Sequence, residues 1–186
     1  FGVQVIDLEG LARHRGSLFG AVGPQPSQKA FEGALALALA GLDPSRPVVI
    51  EAESSKIGNC RLPPEIWKAM VAAPRVAIAA PRPARAEYLA RAYCDLTADA
   101  DRLAATVGLL KPLHSAEVIE EWLGLATSGQ FAALADGLMQ RHYDPRYGKH
   151  RARMAVPFLE VGAPDLRSEA LPGIAARVAE AVKRLA

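Results

Sequence analysis

The sequence predicts an α/β domain, a parallel sheet flanked by helices, with a helical subdomain at about residues 95–142. Three observations predict it. Short β-branched runs alternate with stretches of helical period: strand, helix, strand, helix, strand, several helices, then strand and helix. In that order, right-handed crossovers give parallel strands. The run at 75–80 has the weak polar content of a strand buried on both faces. The 186 residues, 51% hydrophobic and 23% charged, suit one domain, 1–186, which buries about 70% of its unfolded surface.

Residues 3–8 read as a short buried strand ending on an acid, Asp7. The chain starts on this strand without a polar lead-in and is expected to begin inside a domain. A Gly-rich loop follows from Arg13 to Gly20 and on through Gly23 and Pro24. Ser27 is a natural N-cap for a helix over 28–40, whose Phe31, Leu35 and Leu39 share one face. Pro44 and Pro47 end it. Val48, Val49 and Ile50 form a second strand, again ending on a carboxylate, Glu51. Residues 52–61 read as a polar loop. Pro63 and Pro64 open a helix to about residue 71, where no amide donor is lost. After the third strand at 75–80 come helices at 84–93, 99–110, 115–127 and 130–140, punctuated by Gly129. A fourth strand is expected at 156–161. The closing helix, 171–185, carries Ile174, Val178, Val182 and Leu185 in step.

Composition narrows the function classes. No apolar run approaches the roughly 20 residues that span a bilayer, so no membrane role is expected. The net charge of +2 does not by itself announce a nucleic-acid binder. Cys60 and Cys94 show neither CxxC nor zinc spacing and read as reduced thiols of a cytoplasmic protein.

The chemistry-bearing residues fall into three groups. Asp7 and Glu51 end strands of an open parallel sheet, where ligands bind, and an acid there orients phosphate, metal or water. Equally, such acids cap neighbouring loops. The phosphate loop that would decide, GxxxxGK[ST], is absent; the one Gly-Lys pair, Gly148-Lys149, is followed by His150. In the second group, His14, Arg15 and Ser17 sit in a Gly-flanked loop after the first strand. Arg15 suits bidentate pairing with a phosphate, although a solvated basic loop has the same composition. Gln25, Ser27 and Gln28 precede a helix N-terminus that invites an anion. Glu51, Glu53, Ser54 and Ser55 gather oxygens, but no His or Cys joins them at zinc spacing, and no metal site is assigned.

The third group is basic. Arg141, Arg146, Lys149, Arg151 and Arg153 lie with His142 and His150 against one acid, Asp144, and Tyr143 and Tyr147 are interleaved. Cations neutralise phosphates and tyrosines stack on unpaired bases, the pattern of an RNA-binding strip; a solvated connector is the plain alternative. Nothing places the four histidines beside a nucleophile.

Several of these segments together resemble the tRNA 2-selenouridine synthase family. They are Val5 to Ser17 with its His14-Arg15-Gly16-Ser17 run, Phe19-Gly20, Gln25-Pro26-Ser27-Gln28 with Phe31-Glu32, and Val49-Ile50-Glu51 with Glu53-Ser54. Ile57-Gly58-Asn59, Leu62-Pro63 and His142-Tyr143-Asp144-Pro145 with Tyr147 complete the set. The resemblance implies a P-loop NTPase or kinase-like domain, here without its first strand and phosphate loop, and without the rhodanese domain that precedes it in the same full-length chain. It implies a transferase that converts wobble 2-thiouridine of tRNA to 2-selenouridine through S-geranylation and selenation. The substrates would be geranyl diphosphate and selenophosphate, with no certain cofactor, and a selenophosphate-supplying enzyme is a possible partner. His14, Arg15, Ser17, Gln25, Ser27, Gln28 and Glu53 are then expected at the phosphate-bearing substrate, with Asp7 and Glu51 as the catalytic acids. Arg141, His142, Tyr143, Arg146, Tyr147 and Lys149 are expected on the anticodon arm. These residues alone are not expected to complete the reaction. The competing readings are a non-catalytic tRNA-binding module and a P-loop small-molecule kinase relative.

Overall fold

The structure, a computed structural model, describes residues 2–152 and 158–185, with the side chains of residues 149–152 outside that description. The α/β class expected from the element order is what forms. The chain divides into two compact units, residues 1–77 with 156–161 and 173–186, and residues 78–155 with 162–172.

In the first unit, β1 (Gln4–Ile6) pairs in parallel with β2 (Val48–Ile50), Ile6 opposite Ile50. β1 stops at Ile6, short of the expected residue 8, because Asp7 caps a five-residue helix, α1 (Leu8–Ala12). Helix α2 (Gln28–Ala40) starts at Ser27 as expected, its Oγ accepting from the Ala30 amide at 3.3 Å. Phe31 and Leu35 are fully buried with Ile6, Leu8, Ala12, Ile57, Cys60, Leu62 and Met70, and Leu39 packs against that core.

The stretch read as a polar loop instead closes an antiparallel hairpin of β3 (Lys56–Ile57) and β4 (Cys60–Arg61). Gly58 supplies the positive φ of 59° in its turn. Two-residue strands are too short to show alternation, which is why the pattern missed them. Helix α3 (Pro64–Ala72) follows. A further two-stranded sheet joins β5 (Arg75–Ala79) and β6 (Phe158–Gly162). Among the described residues the strands thus form three two-stranded sheets in place of one continuous sheet. Of the fourth strand expected at 156–161, residues 156 and 157 lie outside the described residues. The closing helix, α10 (Leu171–Leu185), buries Ile174, Ala179 and Ala181 and half-buries Val178, Val182 and Leu185.

The second unit is helical. Its helices are α4 (Arg82–Ala92), α5 (Cys94–Thr97), α6 (Ala100–Gly108), α7 (Ala116–Thr127), α8 (Phe131–Leu138) and α9 (Asp144–Ala152). Leu103, Val107, Leu110, Ile119, Trp122, Leu134 and Leu138 are buried there. Gly137 lets α8 approach α7, since a Cβ there would lie 2.9 Å from the Trp122 indole nitrogen. The basic segment, expected as an RNA-binding strip with a solvated connector as the alternative, continues as a π turn (Met139–Tyr143) and α9. Charges and Gly148 hide its helical period, while Pro145 fits a first turn. Among the described residues no helix is long and apolar enough to cross a membrane.

Candidate functional site

Helix α1 is held by the two acids expected at the strand ends. Asp7 Oδ1 accepts from the Gly10 amide at 2.7 Å, and the Asp7 carboxylate fills the space a side chain at residue 10 would need. Glu51 accepts from the Leu8 amide at 3.0 Å and the Glu9 amide at 3.3 Å. Three amides without helical partners are thus satisfied by two carboxylates, which places Asp7 and Glu51 in the capping role.

The chain leaves α1 through Arg13, the described non-glycine residue with positive φ (51°), with the His14 amide bonded back to the Glu9 carbonyl at 3.0 Å. The next eight residues, His14 to Ala21, tie to themselves. The Arg15 amide donates to the Gly20 carbonyl (2.9 Å), the Gly20 amide to Ser17 (2.9 Å), and His14 bridges Ala21. Gly20 has no substitute, because a Cβ there would lie 2.9 Å from the Ser17 carbonyl oxygen. Phe19 anchors the loop in the interior.

This loop and α1 enclose an open cleft of about 550 Å³, walled by Asp7, Glu9, Arg13, His14 and Arg15 and closed by Val22, Gly23 and Pro24. His14 Nδ1 accepts from the Gly16 amide at 3.1 Å, which leaves Nε2–H as the donor of a neutral ring. Burial holds the His14 pKa below its usual value, in keeping with that state. A cavity of about 40 Å³ lies on the other side of Glu9, lined also by Glu51, Glu53, Ser54, Lys56 and Gly16. Among the described residues no three His, Cys, Asp or Glu side chains converge to hold a metal ion.

The remaining expected pocket residues take structural positions. The Gln25 amide donates to the carbonyls of Ala12 (2.9 Å) and Ile57 (3.1 Å), while its oxygen accepts from the Asn59 amide at 2.7 Å. Gln28 pairs with the Arg61 backbone in both directions, at 2.8 and 2.9 Å, and with Glu32 at 2.7 Å. Both glutamines act as strand-like partners for the β3–β4 hairpin. Ser17 serves the loop through its backbone. Cys60 is 1% exposed, its thiol against the Pro26 carbonyl, and burial pushes its pKa up, which disfavours the reactive thiolate.

In the second unit the π turn directs His142 inward, where it is 6% exposed. Its Nδ1 lies 3.0 Å from His114 Nε2, and an Arg146 guanidinium nitrogen approaches the same ring at 2.7 and 3.0 Å. Tyr143 stacks edge-on against His142, and His114 edge-on against Trp122, each at 4.8 Å between ring centres. Arg141 pairs bidentately with Glu121 at 2.7 Å, and Arg85 with Asp144 at 2.8 Å. The structure therefore gathers His142, Tyr143 and Arg146 and holds Arg141 on Glu121. Tyr147 stands half exposed on α9. The side chain of Lys149 lies outside the described residues, as do those of His150 and Arg151 and the whole of Arg153.

Known proteins locate this arrangement. The sequence model described as the tRNA 2-selenouridine synthase AAA domain matches residues 3–118, more than half of the chain. The chain belongs to the tRNA 2-selenouridine synthase family. Among curated relatives of that name, the one from Hahella chejuensis is 32% identical over 76% of this chain and 45% of its own length. That from Alcanivorax borkumensis is 29% identical over 86% and 52%, and that from Aeromonas salmonicida 43% identical over 48% and 25%. The chain thus spans about a quarter to a half of the length of these relatives. No solved structure matches it.

Within the family's matched segment, Glu9 is the site residue that sequence reasoning missed. Apolar Leu8, Leu11 and Ala12 surround it, so it reads as part of a strand end. In the structure it is half-buried and lines both cavities. Burial first, then Glu53, Glu51 and Asp7, raise its pKa to about 7, against the pull of Arg15. The signal that could have found it was the density of acids after both strands.

Proposed function

We propose that this chain supplies the phosphate-handling part of a transferase that converts 2-thiouridine of tRNA to 2-selenouridine. One observation carries the reading: Arg13, His14 and Arg15 share one wall of the cleft beside α1. Two guanidinium groups and an imidazole N–H suit a phosphate or diphosphate group. Selenophosphate and geranyl diphosphate, the substrates the resemblance implies, both present that group. The half-exposed Tyr147 and Arg146 on α9 meet the anticodon arm by stacking and charge. The rest of a full-length protein, with its rhodanese domain, completes the reaction in the cytoplasm.

The test uses the protein that carries this chain. Arg15→Ala removes a charge-assisted contact of about 1.5–3 kcal/mol, so kcat/KM for selenation of a 2-thiouridine anticodon stem-loop falls about 10- to 100-fold. An unchanged rate for Arg15→Ala and His14→Ala contradicts the assignment.

A further inference from the structure

The cleft wall contains a contradiction that a proton resolves. Arg13 and Arg15 are its fixed cations, and His14 is neutral, yet Asp7 and Glu9 line the same cleft. Glu51 and Glu53 stand behind Glu9 in the smaller cavity, with Lys56 at its edge. Asp7 and Glu51 are committed as caps to the amides of α1. An ionised Glu9 would leave an entering phosphate facing as much negative as positive charge. Resting on the reading of the cleft as a phosphate site, we propose that Glu9 binds the phosphate as the neutral acid, donating its carboxyl proton to a phosphate oxygen, so that ligand and proton enter together.

The geometry suits this role. The α1 backbone fixes Glu9 through its amide on Glu51 and its carbonyl under the His14 amide. Gly16 leaves room for the side chain, since a Cβ there would lie 2.8 Å from Glu9 Oε1. The charged groups facing Glu9 are Asp7 on its own helix, Arg13, His14 and Arg15 on the loop, Glu51 and Glu53 after β2, and Lys56 on β3. The acids among them disfavour the carboxylate, and Arg15 opposes them. With Glu9 near pH 7 in the empty cleft, a ligand that needs the acid form takes up close to one proton at pH 8.

The experiment is isothermal titration of inorganic pyrophosphate into the protein carrying this chain at pH 6.5, 7.5 and 8.5. Each titration is run in two buffers of different ionisation enthalpy and repeated with Glu9→Gln and Arg15→Ala. Glu9→Gln keeps the shape and a donor, and the probe's own ionisation cancels in the comparison. The expected result is that the wild-type Kd rises relative to Glu9→Gln by about tenfold per pH unit above pH 7, with proton uptake that Glu9→Gln lacks. Binding that weakens with Arg15→Ala but shows the same pH slope and proton count in wild type and Glu9→Gln overturns the role of Glu9 alone. Absence of pyrophosphate binding, or binding indifferent to Arg15→Ala, overturns the phosphate site and the role of Glu9 with it.

Discussion

Gln25 separates a structural from a ligand-binding reading of the Gln25-Pro26-Ser27-Gln28 motif. Its amide makes three hydrogen bonds, to Ala12 and Ile57 carbonyls and from the Asn59 amide, at 2.9, 3.1 and 2.7 Å. Two of the three are part-buried, and Gly58, at positive φ, is pressed against the Gln25 amide group with no room for a side chain. Gln25→Ala removes bonds worth about 1 kcal/mol each and strands two carbonyls, for a loss of about 2–4 kcal/mol. Gln25→Glu keeps the acceptor for Asn59 but sets an oxygen against the carbonyls of Ala12 and Ile57, and costs at least as much. With an m value of about 2 kcal/mol/M, the urea midpoint falls by about 1–2 M. Hydrogen exchange at the Asn59 amide accelerates in parallel. If both variants unfold at the wild-type midpoint while KM for the phosphate substrate rises, the side chain faces a ligand and the structural reasoning is wrong.

Two titrating groups of opposite sign shape the pH dependence of stability. Glu9, raised from 4.5 to about 7, contributes stability that is present below pH 4.5 and lost as pH rises through 7. Glu9→Gln therefore matches wild type at pH 4.5 and exceeds it at pH 8 by about 1–2 kcal/mol, a figure reduced for solvent screening of the half-exposed side chain. His142, lowered from 6.5 to about 4 by burial and then by Arg146 and His114, contributes stability that is present above pH 6.5 and lost as pH falls through 4. His142→Gln flattens that acid limb by about 1–2 kcal/mol, read from urea midpoints at pH 4.5 and 7. Gly20→Ala drives a methyl into the Ser17 carbonyl, so it costs about 1–3 kcal/mol and weakens pyrophosphate binding by distorting the cleft loop.

What the sequence revealed and what it hid follow from range. The face of Phe31, Leu35 and Leu39 and the cap at Ser27 are local, and both were legible from helical period and side-chain chemistry. So was the parallel pairing of Val48–Ile50 with the first strand, because the helix between them leaves no other connection. The β3–β4 hairpin was hidden because its order comes from two glutamines 30 or more residues away in sequence. Helix α9 was hidden because its support is tertiary: Arg85 on Asp144 and the His142 ring packed on His114. At the site, the basic loop was legible as composition, whereas the roles of its neighbours were not. Asp7, Glu51, Gln25 and Gln28 carry reactive-looking groups that the fold uses on backbone amides and carbonyls. Glu9, passed over in the sequence, stands in the cleft because α1 exists, and α1 was itself unread.

The most direct test of the central claim is hydrogen exchange of the intact protein with and without pyrophosphate, resolved by peptide. The cleft reading predicts slowed exchange confined to the segment from Glu9 to Pro24, with residues 141–147 unchanged until an anticodon stem-loop is added. Protection of 141–147 by pyrophosphate while 9–24 exchanges as before contradicts it.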